Sequence, residues 1–196
     1  MRKKSAKKAA EWFVERVDEI ETFLEQDNFS GLSEKHVTWV YDYAIIRLYR
    51  EFEDLMLSCL VAAINNDPGG FSDKTGVSFP KHLNQGVCEY LIVGDGYFDF
   101  GGKSGLVNTL KTYLPDTHYL VVEVKKQTYH RALESLFALR NFAAHDSWKS
   151  KKKALDVLGL VKMGSAGAWL KNQGRFKKIT ISLKTLANEI NINSPY

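Results

Sequence analysis

Three residues within one short stretch, Arg140, Asn141 and His145, combine a permanent cation, an amide and an imidazole that exchanges protons near neutral pH. That set suits chemistry at a phosphate better than hydrolysis of a neutral bond. With Leu133 at zero on an ideal helix, Leu136, Phe137, Ala143 and Ala144 define an apolar stripe, and Arg140, at about 340°, falls inside it. The same construction on an earlier helix, with Ile46 at zero, puts Glu53 at about 340° among Tyr49, Met56, Leu57 and Leu60. Charges on core-facing positions are costly when unpaired, so either these faces are not wholly buried or Glu53 approaches Arg140 across the helix interface. The approach of Glu53 to Arg140 is the expected outcome, with a purely packing registry pair as its alternative.

Asn141 and His145 stand one turn apart and share a side of the helix. Arg140 and His145 lie about 140° apart, so one substrate meets both only where the helix ends or bends, or where a second copy across a two-fold axis supplies the other half. Taken alone, His145 would be a helix C-terminal histidine favoured by the dipole. Just beyond it, Lys149, Lys151, Lys152 and Lys153 form a basic run, one of three that hold 13 of the 27 lysines and arginines. The others are Arg2 to Lys8 and Lys171 to Lys178. Residues 11 to 27 carry seven acids against Arg16, so a net charge of +4 conceals strong segregation. If the runs converge they make a footprint for nucleic acid; if not, they are solvated ends.

These residues need helices to hold them. Apolar positions at three- and four-residue spacing predict a helix from Ala6 to Asp27 and a long one from His36 to Asn66. The second stops at the breaker series Asn65-Asn66-Asp67-Pro68-Gly69-Gly70. Shorter helices are predicted over 81–93 and 106–114, separated by loops at 67–79 and 94–105, and another long helix over Lys126 to His145. After Ser150 the pattern gives a lysine-rich stretch, a turn at 164–167, a β-like run over Lys178 to Leu183, and a final helix to Ile190. At 196 residues, 44% hydrophobic and 26% charged, the chain fits one globular unit. The apolar run Leu55 to Ile64 is too short to span a membrane. The cationic N-terminus leads into charged sequence, not an apolar signal core, so a cytoplasmic protein is expected. Cys59 and Cys88 are expected as buried free thiols.

Several familiar constellations drop out. Gly101-Gly102-Lys103-Ser104 has the tail of a phosphate-binding loop, but Tyr97 stands where its first glycine is required. The five histidines lack metal-ligand spacing, so neither a metal nor a cofactor is expected. No GxSxG, GxGxxG or EF-hand pattern occurs.

The stretch Leu139-Arg140-Asn141-Phe142-Ala143-Ala144-His145 resembles the Arg-x4-His signature of the HEPN superfamily. The helix bearing Tyr49, Phe52 and Glu53, and the Gly94 to Phe100 loop, are similar to its RiboL-PSP-HEPN group, a resemblance that implies a ribonuclease. The likeness is strongest from Trp39 to Ser147. It implies an all-α, antiparallel HEPN-like bundle with two long core helices within about 36–147, shorter helices between them and a small basic C-terminal extension from about 150. It further implies a homodimer whose paired motifs form a metal-independent endoribonuclease site. His145 would then transfer protons around the ribose 2′-OH, Arg140 would stabilise the phosphoryl charge, Asn141 would position phosphate or His145, and Glu53 would orient Arg140. Lys149, Lys151, Lys152 and Lys153 would contact RNA. A toxin or anti-phage role, with an antitoxin or regulatory partner, belongs to the same resemblance; a non-catalytic RNA- or protein-binding dimer is its alternative. Members silenced by adenylylation carry a tyrosine two residues after the histidine, where this chain has Ser147, so that control is not expected.

Overall fold

The computed structural model describes residues 3–25 and 29–196, and every regular element among them is helical. They are α1 (Ala6–Glu25), α2 (Glu34–Asn66), α3 (Gly69–Thr75), α4 (Gln85–Val93), α5 (Gly102–Tyr113), α6 (Tyr119–Lys125), α7 (His130–His145), α8 (Trp148–Leu158), α9 (Ala166–Leu170) and α10 (Arg175–Asn193). The chain is therefore all-α. Arg2 of the first basic run, and the expected end of helix one at Asp27, lie outside the described residues.

α2 is the spine because its apolar residues outnumber those one neighbour could cover. Ile45, Leu48, Tyr49, Phe52, Met56, Cys59, Leu60 and Ile64 are buried, and α1, α4, α7 and α9 all pack against it. Ser33 caps its start by accepting from the His36 amide. At its far end Asn65 and Asn66 do more than stop the helix. Asn65 Oδ1 accepts from the Lys4 amide at 2.8 Å and its Nδ2 donates to the Leu83 carbonyl, while Asn66 donates to the Lys4 carbonyl at 2.8 Å. Two side-chain amides thus tie the chain's start and the 76–84 segment to the spine.

Residues 150–196 form α8 to α10 and contribute Ala154, Leu158, Leu170, Ile179, Leu183, Leu186 and Ile190 to the same hydrophobic core as α2 and α7. The β-like run over Lys178 to Leu183 is instead the middle of α10. Ile-Thr-Ile reads as a strand over three residues, but Ile179, Leu183, Leu186 and Ile190 recur at helical spacing and fill the contact with α1 and α7. The expected long helix from Lys126 starts instead at His130. Extended backbone at Lys126 (φ −50°, ψ 133°) separates α6 from a short 3-10 turn at Gln127–Tyr129, and the Lys126 carbonyl is used by the Lys103 ammonium at 2.7 Å. α3 lies within the expected loop after Asp67.

Cys59 and Cys88 are free and buried, and burial pushes the Cys59 thiol up to about 12. No described helix is long and apolar enough to cross a membrane.

α9 approaches α2 closely at Gly167. A Cβ on Gly167 would sit 2.0 Å from the Thr38 carbonyl oxygen, and the Gly167 amide donates to Asp42 Oδ1 at 2.6 Å. Only a hydrogen fits in that space. Gly167→Ala is expected to lose about 3 kcal/mol of stability, read as a lower urea midpoint with an unchanged slope.

Candidate active site at the end of helix seven

Over its last two turns α7 buries Ala138, Leu139 and Phe142, whose directions span about 140° to 240° from Leu133. His145, at about 120°, stands at one edge of that sector, while Arg140, at about 340°, lies well past the other, in line with buried Leu136 and Leu133 of the preceding turns. Between them, on the outward side, lie half-buried Phe137 and Asn141 and exposed Ala144. The stripe drawn from sequence was therefore centred too far round the helix. Leu139 and Phe142 mark the deep side, and Arg140 borders the core without entering it.

Glu53 is displaced in the same way. Tyr49, Phe52 and Met56 form the deep face of α2, Arg50 and Asp54 are exposed, and Glu53 is half-buried at the boundary. Both charges line one cavity of about 440 Å3, walled by α2, α4 and the 96–99 loop, but no ion pair joins them among the described residues. Glu53 and Arg140 approach across this cavity, near enough for Arg140 to lower the Glu53 pKa, but without forming an ion pair, because neither face is wholly buried and each charge keeps partial solvent access.

Arg140 is held by other groups. Its guanidinium carbon lies 4.3 Å from the centre of the Tyr49 ring, and its Nη1 donates to Asn141 Oδ1 at 2.7 Å. The guanidinium only donates, so this bond fixes the amide's direction and leaves Asn141 Nδ2 as an outward donor with no partner among the described residues. Tyr49 is itself immobilised. Its hydroxyl donates to Asp99 Oδ1 at 2.7 Å and lies 3.2 Å from the Phe100 carbonyl, while Phe100 packs on its ring. Burial, reinforced by that bond to Asp99, raises the Tyr49 pKa and keeps it neutral. Tyr49 and Asp99 are the positioning residues that sequence reasoning did not assign. Tyr49 was visible as an apolar position, but nothing in the spacing linked it to a residue in a distant loop.

Desolvation pushes the Glu53 carboxyl up to about 7, opposed by Arg140 and reinforced by Asp99. Arg50 and Arg140 face Glu53, Asp54, Glu89 and Asp99 across the cavity, so carboxylates outnumber cations there. The cavity therefore disfavours a phosphate. The unpaired lysines stand instead on α8, beside His145.

His145 is exposed and lies outside the cavity lining. It ends α7. Asp146 follows in the left-handed region (φ 41°), and Ser147 caps α8 with a capping box, each of Ser147 and Ser150 accepting the other's amide at 3.2 and 3.1 Å. α8 then carries the basic run. Lys149, Lys152 and Lys153 are exposed and Lys151 is half-buried over the Phe142 ring, with no carboxylate paired to any of them among the described residues. The structure thus brings Arg140 and Asn141 together, sets Glu53 across a shared cavity, and leaves His145 on the opposite margin beside the lysines. Among the described residues no three His, Cys, Asp or Glu side chains are grouped to hold a metal ion.

Compared with known protein families, with curated proteins and with solved structures, the chain matches none.

Glu53 yields a pH prediction. A carboxyl whose folded pKa lies above its unfolded value binds more protons when folded, so stability falls as pH rises from about 4.5 to about 7. Glu53→Gln is expected to flatten that fall and to be more stable than the parent at pH 8 by on the order of 1 kcal/mol after solvent screening. Urea midpoints of both proteins at pH 5 and pH 8 measure it; equal pH dependence would show that Glu53 ionises normally.

Proposed function

We propose that this chain is a metal-independent RNA endonuclease whose site is completed by a second copy. The observation that carries this reading is the end of α7. There a guanidinium fixed by Tyr49 and Asn141, an exposed imidazole and a field of unpaired lysines border one outward helical arc. A two-fold axis passing near Ala144 would set the Arg140 of one protomer opposite the His145 of the other. The exposed alanine leaves room for close approach of the two helices.

In the reaction so framed, the ribose 2′-oxygen attacks the adjacent phosphorus while His145 of one protomer accepts the hydroxyl proton. The bond from phosphorus to the 5′-oxygen breaks, and the leaving oxygen takes a proton from the other histidine or from water. The products are a 2′,3′-cyclic phosphate and a 5′-hydroxyl. Arg140 neutralises charge gathering on the non-bridging oxygens, and the free Asn141 amide donates to one of them. Glu53 acts at a distance through the cavity, not by clamping Arg140. Dependence on the 2′-OH makes RNA the substrate. The resemblance to the HEPN superfamily supports the same reading, and a toxin or anti-phage role with a protein antidote goes with it.

Ser147, where adenylylated members carry tyrosine, has a structural occupation here as the N-cap of α8. The second reading is a non-catalytic dimer that binds RNA or protein. It is favoured by the acid-lined cavity under Arg140, which disfavours phosphate on that side.

The deciding experiment is cleavage of end-labelled RNA in EDTA. The purified protein is expected to leave cyclic phosphate ends, with at least 100-fold loss, on the order expected for removing a charge stabiliser or a proton-transfer group, in Arg140→Ala and in His145→Ala. Sedimentation should give a dimer for all three. A folded dimer that cuts no RNA would establish the binding reading.

A further inference from the structure

α10 sorts its cations by face. Lys177 pairs with Glu25 at 2.8 Å, and Lys184 pairs with Asp18 and Glu21 at 2.8 Å each, so the side turned to α1 is neutralised. Arg175 and Lys178 lie on the other side. They line a cleft of about 520 Å3 between α7, α9 and α10, together with Arg131 from the first turn of α7. No carboxylate lines this cleft, and none pairs with Arg131, Arg175 or Lys178 among the described residues. Three cations facing one another without an acid repel, an arrangement that an anion would relieve.

The donors are partly fixed in advance. The Arg175 guanidinium lies 4.7 Å from the Trp169 ring centre, with Nη1 donating to the Trp169 carbonyl at 3.0 Å and Nη2 to Gln173 Oε1 at 2.7 Å. Its remaining N–H groups are uncommitted. Ser135 on the α7 wall also lines the cleft and sets a hydroxyl beside these cations. A hydroxyl donor on a cationic wall fits an acceptor-rich group such as a phosphate.

The cleft's position gives it a use. Arg131 and His145 are about 21 Å apart along α7 and about 40° apart around it. α8 starts beside His145 and ends at Leu158, which also lines the cleft, so it runs back along α7 from one place to the other. Lys149, Lys152 and Lys153 stand on the way. We infer that the Arg131, Arg175 and Lys178 cleft holds a backbone phosphate of the same RNA strand several nucleotides from the cut, anchoring it along α8. The choice of RNA as the polyanion rests on the proposed nuclease reading; the cleft's cationic chemistry does not.

The test is anisotropy of a labelled single-stranded 2′-O-methyl RNA, which lacks the attacking hydroxyl and stays intact, titrated with full-length protein over a range of salt. Each phosphate contact to a single strand contributes about 0.7 to the slope of log K against log salt. Arg131→Gln with Lys178→Gln is expected to reduce that slope by about 1.4, which is roughly 25-fold weaker binding at 0.1 M salt if the curves meet at 1 M. Neither residue has a partner to lose, so the double variant should fold. Lys177→Gln with Lys184→Gln, whose charges are already spent on α1, should leave the slope unchanged. An unchanged slope in the first double variant, or no RNA binding by the parent, overturns the proposal. The expected slope change in a protein that cuts no cleavable RNA would keep the cleft and remove the nuclease.

Discussion

The placement of Arg140 on the face of Tyr49 is the contact on which the arrangement at the end of α7 depends. A guanidinium at the border of a core needs attraction without full desolvation, and an aromatic face supplies it at about 0.5–2 kcal/mol while leaving the N–H groups free to point elsewhere. The ring can serve only if it cannot turn, and the Asp99 and Phe100 contacts to Tyr49 prevent that. The 94–101 loop, which contributes little to the core apart from Phe100, therefore acts on Arg140 from two residues away. The same loop is anchored to α7 by a second route. Glu134 accepts from the Lys103 amide at 2.9 Å, and Gly102, at φ 76°, brings the backbone so close that a Cβ would meet that carboxylate at 2.8 Å.

Charge is distributed by helix face more than by chain segment. α1 carries the acids and α10 the bases of one neutral seam, in which Lys177 and Lys184 are consumed. Lys171 is likewise held by Glu34. Among the bases left unpaired on the described C-terminal third are those on the outward side of α8 and in the cleft beside Arg131. A modest net charge is thus compatible with a strongly biased surface, because pairing removes the bases that face α1 and α2 and leaves those that face α7 and α8.

The helices were largely legible in the sequence, since three- and four-residue spacing reflects the burial that forms them. α2, α4, α5 and α10 end within a few residues of apolar periodicity and caps. Two failures have definite causes. Ile179 to Ile181 alternates over too few residues to distinguish a strand from a helix, and packing on α1 decides it. α3 and α6 are seven residues each, too short for periodicity to register. For the site, Arg140, Asn141 and His145 were legible as a set because they share one helix. Their surroundings were not. A wheel drawn from hydrophobicity alone treats Ala144 and Leu139 as equal markers of the core, yet Ala144 faces solvent and Leu139 is wholly buried, and that difference sets Arg140 at the rim of the interior. The links from Tyr49 to Asp99 and from Arg131 to Lys178 join distant segments and leave no trace in local spacing.

The junction between α7 and α8 consists of Asp146 and Ser147 alone, one in a left-handed conformation and the other closing a reciprocal cap. Such a joint has no slack, so it works as a phase lock between two screws. Adding or removing one residue there would change the direction in which α8 leaves α7, and so the place of its lysines relative to His145, while leaving each helix internally intact. Length at this point therefore sets a distance and a direction that no side chain on either helix can restore: a change in the size of that two-residue joint would separate the imidazole from the neighbouring lysines in a single step.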